Sequence, residues 1–305
     1  MRLKLAMKGA AALAALCAAT PALAAPVTPA NQEAHLMTLF TGAANDCLDM
    51  DKLTNEERLP FCETALGEVA ARRQFDRRLF LIAAVAFPII ILIGFGPTYY
   101  ARGLVVAPLP SFLVHVHGLM MTLWVGLFVA QVALISAKRV QLHQRLGYGA
   151  IGLAVLIIAT GLPTALRAAK YGAASTPPGI PPLSFLVVPV SDLAMFALLF
   201  GGAIYYRRKP AAHKSLMLLT ALNFLPPALA RIQIPALQAI GPLWFFGVPA
   251  AIALACVALE RRRHGRLNSV FLAGSLCLIV SYVARLALMS TRPWMRFAEW
   301  ATSFV

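Results

Sequence analysis

The chain has 305 residues, of which 60% are hydrophobic and 13% charged, and its mean hydropathy is +0.74. Soluble domains are about 45–50% apolar and about 25% charged, so this composition excludes a soluble enzyme and predicts an all-α, multi-pass membrane bundle. The formal net charge of +15 does not indicate a nucleic-acid partner, because 18 of the 27 basic residues follow residue 80 in short segments between apolar runs, where membrane topology requires them.

The first 24 residues have the pattern of a secretory signal peptide. Arg2, Lys4 and Lys8 form a basic start, residues 9–19 are apolar, and small residues precede the bond after Ala24. This order of charge, short apolar run and small residues is typical of segments cleaved by signal peptidase. The apolar run is also too short to cross about 30 Å of hydrocarbon as a helix. We therefore expect this segment to be removed.

Residues 25–79 form a polar, acidic extension that differs in composition from the rest of the chain. Cys47 and Cys62 lie within it, and the spacing of its apolar residues predicts two short amphipathic helices joined by a turn near Asn55. If the extension is exported, the cysteines can form a disulfide that clamps this hairpin; if it is cytosolic, they are ordinary thiols. The segment has too few apolar residues for its own core, so we interpret it as a cap or tether.

Seven apolar runs follow, and each approaches the roughly 20 residues that a helix needs to cross a bilayer. The fifth run is the weakest, because it contains His213, Lys214 and the consecutive prolines Pro226 and Pro227. The predicted spans are 80–97, 111–135, 147–166, 184–205, 211–231, 240–259 and 268–290, within a membrane domain of residues 80–290 followed by a C-terminal tail, 291–305. Small residues also predict close helix packing. These are Gly118, Thr122 and Gly126, Gly149 and Gly152, and Gly201 and Gly202.

Basic residues are distributed unequally between the two sides of the predicted bundle. Alternating the seven spans places 15 Lys and Arg residues on one face and six on the other. By the positive-inside rule the face with 15 is cytoplasmic, which puts the residues before the first span inside. A cleaved signal peptide would put them outside, a conflict that translation beginning downstream, for example at Met50, would remove. In either case we expect a multi-pass protein of the bacterial inner membrane.

Ionisable and amide side chains from four spans are predicted to lie in one half of the bilayer, near the face with six charges. Each charge in hydrocarbon costs about 2.5–3.5 kcal/mol on insertion scales, so these groups should face the bundle interior and find partners. Asp192 is the only acid within a span, and Arg231 or Arg285 can pair with it. Two interpretations stay open: a structural ion pair with an interfacial Tyr and Trp belt, or a polar pocket for a cofactor, a quinone or a translocated ion. The candidate pocket residues are His115, His117, Asp192, Asn223, Arg231 and Arg285.

Four histidines are candidates for haem or metal ligation. Inward-facing imidazoles from different spans are the ligands of b-type haem, and arginines can hold its propionates. His115 and His117 are two residues apart, about 200° around a helix, so they cannot both face one ligand. His143 and His213 are predicted at matched depth but at the membrane surface, where ordinary hydrogen-bonded histidines also occur. The candidate metal ligands are His115, His117, His143 and His213, and b-type haem is the cofactor they would suit.

Several short motifs follow one another between residues 75 and 235. They are Phe75-Asp-Arg-Arg-Leu-Phe, Gly96-Pro-Thr-Tyr-Tyr, His115-x-His-Gly with Trp124 and Gln131, His143-Gln-Arg-Leu-Gly, His213-Lys-Ser-Leu-Met and Leu225-Pro-Pro. Together they resemble a family of small multi-pass bacterial membrane proteins of no established activity, and the resemblance carries over no catalytic residue. The His143 and His213 motifs are also loosely similar to membrane proteins that assist haem-copper oxidase assembly, which favours the haem interpretation.

No sequence motif identifies an enzyme, since Walker A, dinucleotide-binding, Cys-x-x-Cys and HExxH patterns are absent. We expect an integral membrane protein with an intramembrane pocket for b-type haem, a quinone or another lipophilic ligand. The alternatives are a proton-coupled transporter or channel that uses Asp192, and a non-catalytic membrane assembly or scaffold protein. The expected partners are the lipid bilayer and either a membrane protein or a small lipophilic ligand. We expect no nucleic-acid partner.

Overall fold

The computed structural model describes residues 55–101, 111–172 and 180–305, with side chains from residue 74 onward except that of residue 264. It divides into two compact units between Phe80 and Leu81, and the side-chain contacts described below belong to the second. Throughout the described ranges the regular structure is helical, which confirms the all-α class. The predicted signal peptide, Cys47 and the side chain of Cys62 lie outside these limits, so the cleavage and the disulfide stay predictions.

The helices alternate with short connections in chain order. They are α1 (Asn55–Phe95), α2 (Phe112–Ser136), α3 (Val140–Tyr171), α4 (Pro182–Phe185), α5 (Val187–Tyr205), α6 (Pro210–Asn223), α7 (Leu225–Leu229), α8 (Pro235–Gln238), α9 (Val248–His264), α10 (Ser269–Leu288) and α11 (Arg292–Thr302). Single π-helical turns extend α1 over Gly96–Tyr100 and precede α9 over Leu243–Gly247.

Within the described ranges six helical segments are long and apolar enough to cross a membrane, so the chain is an integral membrane protein. A helix suits this role because it satisfies its backbone hydrogen bonds internally, where lipid offers none. The six segments are Gln74–Tyr100, Phe112–Ser136, Val140–Tyr171, Pro182–Tyr205, Leu243–Arg263 and Ser269–Leu288. They correspond to every predicted span except the fifth.

The fifth predicted span is divided between α6 and α7. These helices have 14 and 5 residues, with Phe224 between them, so neither alone is long enough to span. Pro226 has no backbone N–H, which leaves the Leu222 carbonyl without its helical donor. The Tyr282 hydroxyl donates to that carbonyl at 3.5 Å instead. Neighbouring side chains thus support the break.

The α6–α7 pair nevertheless runs from one end of the bundle to the other. Near the start of α6, the His213 ring lies 6.3 Å from that of His143 at the start of α3. In α7, the backbone of Ala228 lies against Gly94 near the end of α1, so closely that a Cβ at Gly94 would overlap the Ala228 carbonyl oxygen. At 1.5 Å per residue the two helices together cover roughly 30 Å, the thickness of the hydrocarbon core.

The interior of the bundle is closed by aromatic packing, whereas its outside is apolar. Trp124 is 1% exposed and packs edge-on against Phe196 and Phe200, with ring centroids 4.8 and 5.3 Å away. On the outside, Val155 and Val283 are 62% and 63% exposed. Large apolar side chains on the surface of several helices indicate contact with lipid rather than water.

Close packing at glycines differs from the prediction. A Cβ added at any of four glycines would meet no described atom within 4 Å: Gly126, Gly149, Gly152 and Gly201. The close helix packing predicted at these four positions is therefore wrong within the described ranges. At Gly118 the prediction is confirmed, because a Cβ there would lie 2.5 Å from the Tyr99 hydroxyl oxygen. Neighbouring side chains also lie close to Gly161 and Gly274, and the small-residue patterns in the sequence did not mark these two positions.

Helix α11 occupies the segment expected to be a tail and is packed onto the bundle. The Thr291 hydroxyl caps its first turn by accepting from the Trp294 N–H at 3.4 Å. The Trp294 indole N–H donates to the Leu183 carbonyl at 3.1 Å, and Ala298 is fully buried against α3 and the α4–α5 junction. These contacts hold α11 against the ends of α3 and α4.

Candidate functional site

Helices α5 and α10 bring Asp192 and Arg285 together in a buried ion pair. The Arg285 Nη1 atom lies 2.5 Å from Asp192 Oδ1, and the two side chains are 1% and 9% exposed. The Arg285 Nε–H also donates to the Ser281 hydroxyl, one turn earlier on α10, at 3.2 Å. The sequence left Arg231 and Arg285 as candidate partners of Asp192, and in the structure the partner is Arg285.

Helix α6 adds Asn223 to this pair. Its amide Nδ2 donates to the backbone carbonyl of Asp192 at 3.0 Å, and its side chain is fully buried. Asn223 is the last residue of α6, and the break before Pro226 ends the helix at the level of the ion pair. We call Asp192, Asn223 and Arg285 the polar triad.

Two buried polar atoms of the polar triad have no hydrogen-bond partner among the described residues. They are the donor Arg285 Nη2 and the acceptor Asn223 Oδ1. A buried donor or acceptor without a partner costs about 1–3 kcal/mol, and native proteins leave few of them. The triad can therefore offer one donor and one acceptor to a group that enters it.

Aromatic rings line the triad. The Arg285 guanidinium carbon lies 5.1 Å from the Tyr282 ring centroid and 5.7 Å from that of Phe246, and these two rings stack 4.8 Å apart. Phe246 comes from the π-helical turn before α9, which Trp244 anchors by donating its indole N–H to the Leu229 carbonyl at 2.9 Å. Cation–π contacts of this kind stabilise a desolvated guanidinium.

His117, a candidate for the site, hydrogen-bonds to another helix instead of the triad. Its Nδ1 is 3.1 Å from the Thr160 hydroxyl on α3, which itself donates to the Leu156 carbonyl at 2.7 Å, so the hydroxyl oxygen accepts from His117. A Cβ at Gly161 would lie 2.9 Å from His117 Cε1 and 3.0 Å from Leu193 Cδ2. The absence of a side chain at Gly161 thus leaves room for both His117 and Leu193, the residue that follows Asp192.

The structure does not bring His115 and Arg231 into the triad. His115 is exposed, and its Nδ1 lies 3.4 Å from the Tyr99 hydroxyl. Arg231 places its guanidinium carbon 4.4 Å from the Phe95 ring centroid and donates from Nη1 to the Pro227 carbonyl at 2.6 Å.

His143 and His213 meet at the other end of the bundle. Their rings are nearly perpendicular, at 84°, with centroids 6.3 Å apart. The His213 Nδ1 lies 2.8 Å from the Ala203 carbonyl oxygen, which can only accept, so in the neutral ring Nε2 keeps its lone pair. The His143 Nδ1 is buried and has no partner in the part of the chain described. No group of three or more His, Cys, Asp or Glu residues suited to a metal ion occurs within the described ranges.

Ser281 and Phe246 contact Arg285, and Phe224 directly follows Asn223. These three residues were not identified from the sequence. Ser281 was recognisable, since it precedes Arg285 by one helical turn. Phe224 is buried, and its ring centroid lies 4.9 Å from that of Phe196. No local pattern in the sequence marked this contact.

No protein-family model matches this chain, and neither a curated protein nor a solved structure matches it. The function is therefore inferred from the geometry of the site.

Proposed function

We propose that this integral membrane protein binds the polar head of a small lipophilic ligand of the quinone class at the polar triad. The observation that carries the proposal is that Arg285 Nη2, on the partner of Asp192, and Asn223 Oδ1 are both buried and have no hydrogen-bond partner in the part of the chain that the structure describes. In hydrocarbon such groups gain more from a ligand than they would in water, because the surroundings supply no other partner.

The ligand chemistry follows from the two free atoms. A quinone carbonyl oxygen accepts a hydrogen bond and suits the Arg285 Nη2 donor, whereas the hydroxyl of the reduced form also donates and suits Asn223 Oδ1. Flat aromatic rings at Phe246 and Tyr282 favour a flat ring beside them. Asp192 balances the arginine charge, so an uncharged ligand completes the site without adding net charge.

The test is ligand binding by purified protein with a matched pair of arginine variants. Arg285→Lys keeps a cation for Asp192 but removes Nη2, so a short-chain ubiquinone analogue should bind at least about tenfold more weakly, as expected for one hydrogen bond to a charged group. Quenching of tryptophan fluorescence measures the binding. Arg231→Lys, which changes a half-buried arginine outside the triad, should bind as the parent protein does.

Other outcomes identify the alternatives. If the parent protein binds no quinone analogue but moves protons in liposomes, and Asp192→Asn abolishes the flux, the protein is a proton-coupled transporter or channel. If it does neither, the triad is a structural ion pair and an assembly or scaffold role is favoured. Either result would overturn the quinone proposal.

A second candidate, b-type haem or a metal held by His143 and His213, is favoured by their ring geometry. A ligating imidazole nitrogen lies about 2 Å from a metal ion, so two imidazoles on opposite sides of one ion have ring centres roughly 6 Å apart. The measured separation is 6.3 Å. The Ala203 carbonyl would orient His213 as partners of metal-bound histidines do.

An absorption spectrum of the purified protein tests this candidate. Haem gives a Soret band that sharpens on reduction, and His143→Ala or His213→Ala should remove it. His115→Ala, at the opposite end of the bundle, is the control and should retain it. A colourless preparation that is also free of metal would exclude both forms of the candidate.

A further inference from the structure

Helix α11 carries a row of exposed aromatic side chains that its packing leaves uncovered. Phe297 and Trp300 are 42% and 60% exposed, and Phe304, just after the helix, is 70% exposed. The opposite side of α11, including Ala298, is buried against the bundle. The helix therefore presents a second apolar face, which needs lipid or another apolar partner.

This face forms one wall of an apolar groove. Leu162 and Leu166 of α3 and Val190 of α5 form the other wall, opposite Phe297, Trp300 and Phe304. The groove is open on one side and encloses about 240 Å³. Because the Trp294 to Leu183 hydrogen bond and the buried Ala298 fix α11 in place, the groove does not depend on an occupant for its form.

Three exposed basic residues are sequence neighbours of residues that line the groove. Arg167 follows Leu166 and Arg296 precedes Phe297. Lys170 donates from Nζ to the carbonyl oxygen of Val305, which follows Phe304. Both Arg167 and Lys170 lie over the exposed ring of Tyr171, with centroid distances of 5.4 and 5.5 Å. Glu299 is the only acid after Glu260 in the sequence. Glu299 lies on α11 beside Trp300, so Arg167, Lys170 and Arg296 outnumber it three to one and the net charge near the groove is positive.

We propose that the groove binds an acyl chain of an anionic phospholipid, whose phosphate is held by Arg167, Lys170 and Arg296. An acyl chain suits walls made only of aliphatic and aromatic side chains. Basic residues just outside the hydrocarbon attract anionic head groups, and exposed Trp residues sit at the same interfacial depth. Charge complementarity therefore selects an anionic over a zwitterionic lipid.

The test compares two lipids with identical acyl chains on the purified full chain in detergent. Phosphatidylglycerol should raise the melting temperature more than phosphatidylcholine and bind about tenfold more tightly, as expected where charged hydrogen bonds form. Arg167→Gln with Arg296→Gln should remove the difference. The control, Arg261→Gln with Arg262→Gln, lies at the other end of the bundle and should preserve it.

Three results would overturn the proposal. Equal effects of the two lipids would show that the head-group charge is not recognised. A lipid preference that survives in the Arg167 and Arg296 variant would place the site elsewhere. A concentration-dependent dimer that dissociates on Trp300→Ala would show that a second copy of the chain covers the groove. The parent protein's quinone binding is measured separately, so this proposal and the proposed function can fail independently.

Discussion

Asp192 is the counter-ion of a fully buried arginine, Arg285. We expect Asp192→Asn to lower the free energy of unfolding by about 3–5 kcal/mol, since the isostere strands the Arg285 charge in low dielectric. Adding Arg285→Gln should recover part of that loss, because no unpaired charge then remains. Thermal unfolding in detergent measures both. An Asp192→Asn protein as stable as its parent would contradict this expectation.

Gly161 provides a second test at the scale of single residues. We expect Gly161→Ala to destabilise the protein by about 1–3 kcal/mol, because the new Cβ would press on His117 and Leu193 and force one of them to move. The matched control is Gly149→Ala on the same helix, where a Cβ meets nothing within 4 Å. That change should be neutral or stabilising by up to about 1 kcal/mol, from helix propensity. Equal effects of the two changes would contradict the packing described.

At the scale of elements, the division of α6 and α7 determines the topology. Because His213 and Ala228 lie at opposite ends of the bundle, we expect the α6–α7 pair to cross the membrane despite the break at Phe224. Reporter fusions after Lys209 and after Gln233 should then report opposite sides. Fusions on the same side would make the pair a re-entrant segment and reduce the crossings to six.

The two prolines in α7 also explain why the fifth apolar run was hard to assign as a membrane span from the sequence. Pro226 and Pro227 break the helix locally, and local signals cannot tell whether the pieces continue in one direction. Contacts from other helices, such as the Tyr282 hydroxyl on the Leu222 carbonyl and Gly94 against Ala228, keep them in line. Contacts between residues distant in sequence are not encoded in a hydropathy profile.

At the scale of the whole molecule, the charge asymmetry predicts the arrangement of all loops. Fusions after Arg139, Lys209 and Arg263 should report one side, and fusions after Arg102 and Lys170 the other. If the α6–α7 pair crosses the membrane, 15 Lys and Arg residues lie on one face of the bundle and six on the other, and the positive-inside rule makes the first face cytoplasmic. A fusion after Arg263 on the side opposite to Arg139 would contradict it.

The N-terminus stays a prediction of the sequence alone. If the signal peptide is cleaved, the intact mass should match a chain that begins at Ala25. Thiol labelling should then show that Cys47 and Cys62 are oxidised. A protein that keeps Met1, or starts near Met50 with free thiols, would instead agree with the positive-inside count.

The sequence by itself determined the all-α membrane class, six of the spans and the half of the bundle in which Asp192, Asn223 and Arg285 lie. These properties depend on the length and hydropathy of continuous segments, which are local. Only the tertiary structure decided that Arg285 rather than Arg231 pairs with Asp192, that Gly161 rather than Gly149 packs closely, and that α11 completes an apolar groove. Those outcomes depend on how each helix is rotated about its axis and on which helices are neighbours, and both are set by packing between segments far apart in the chain.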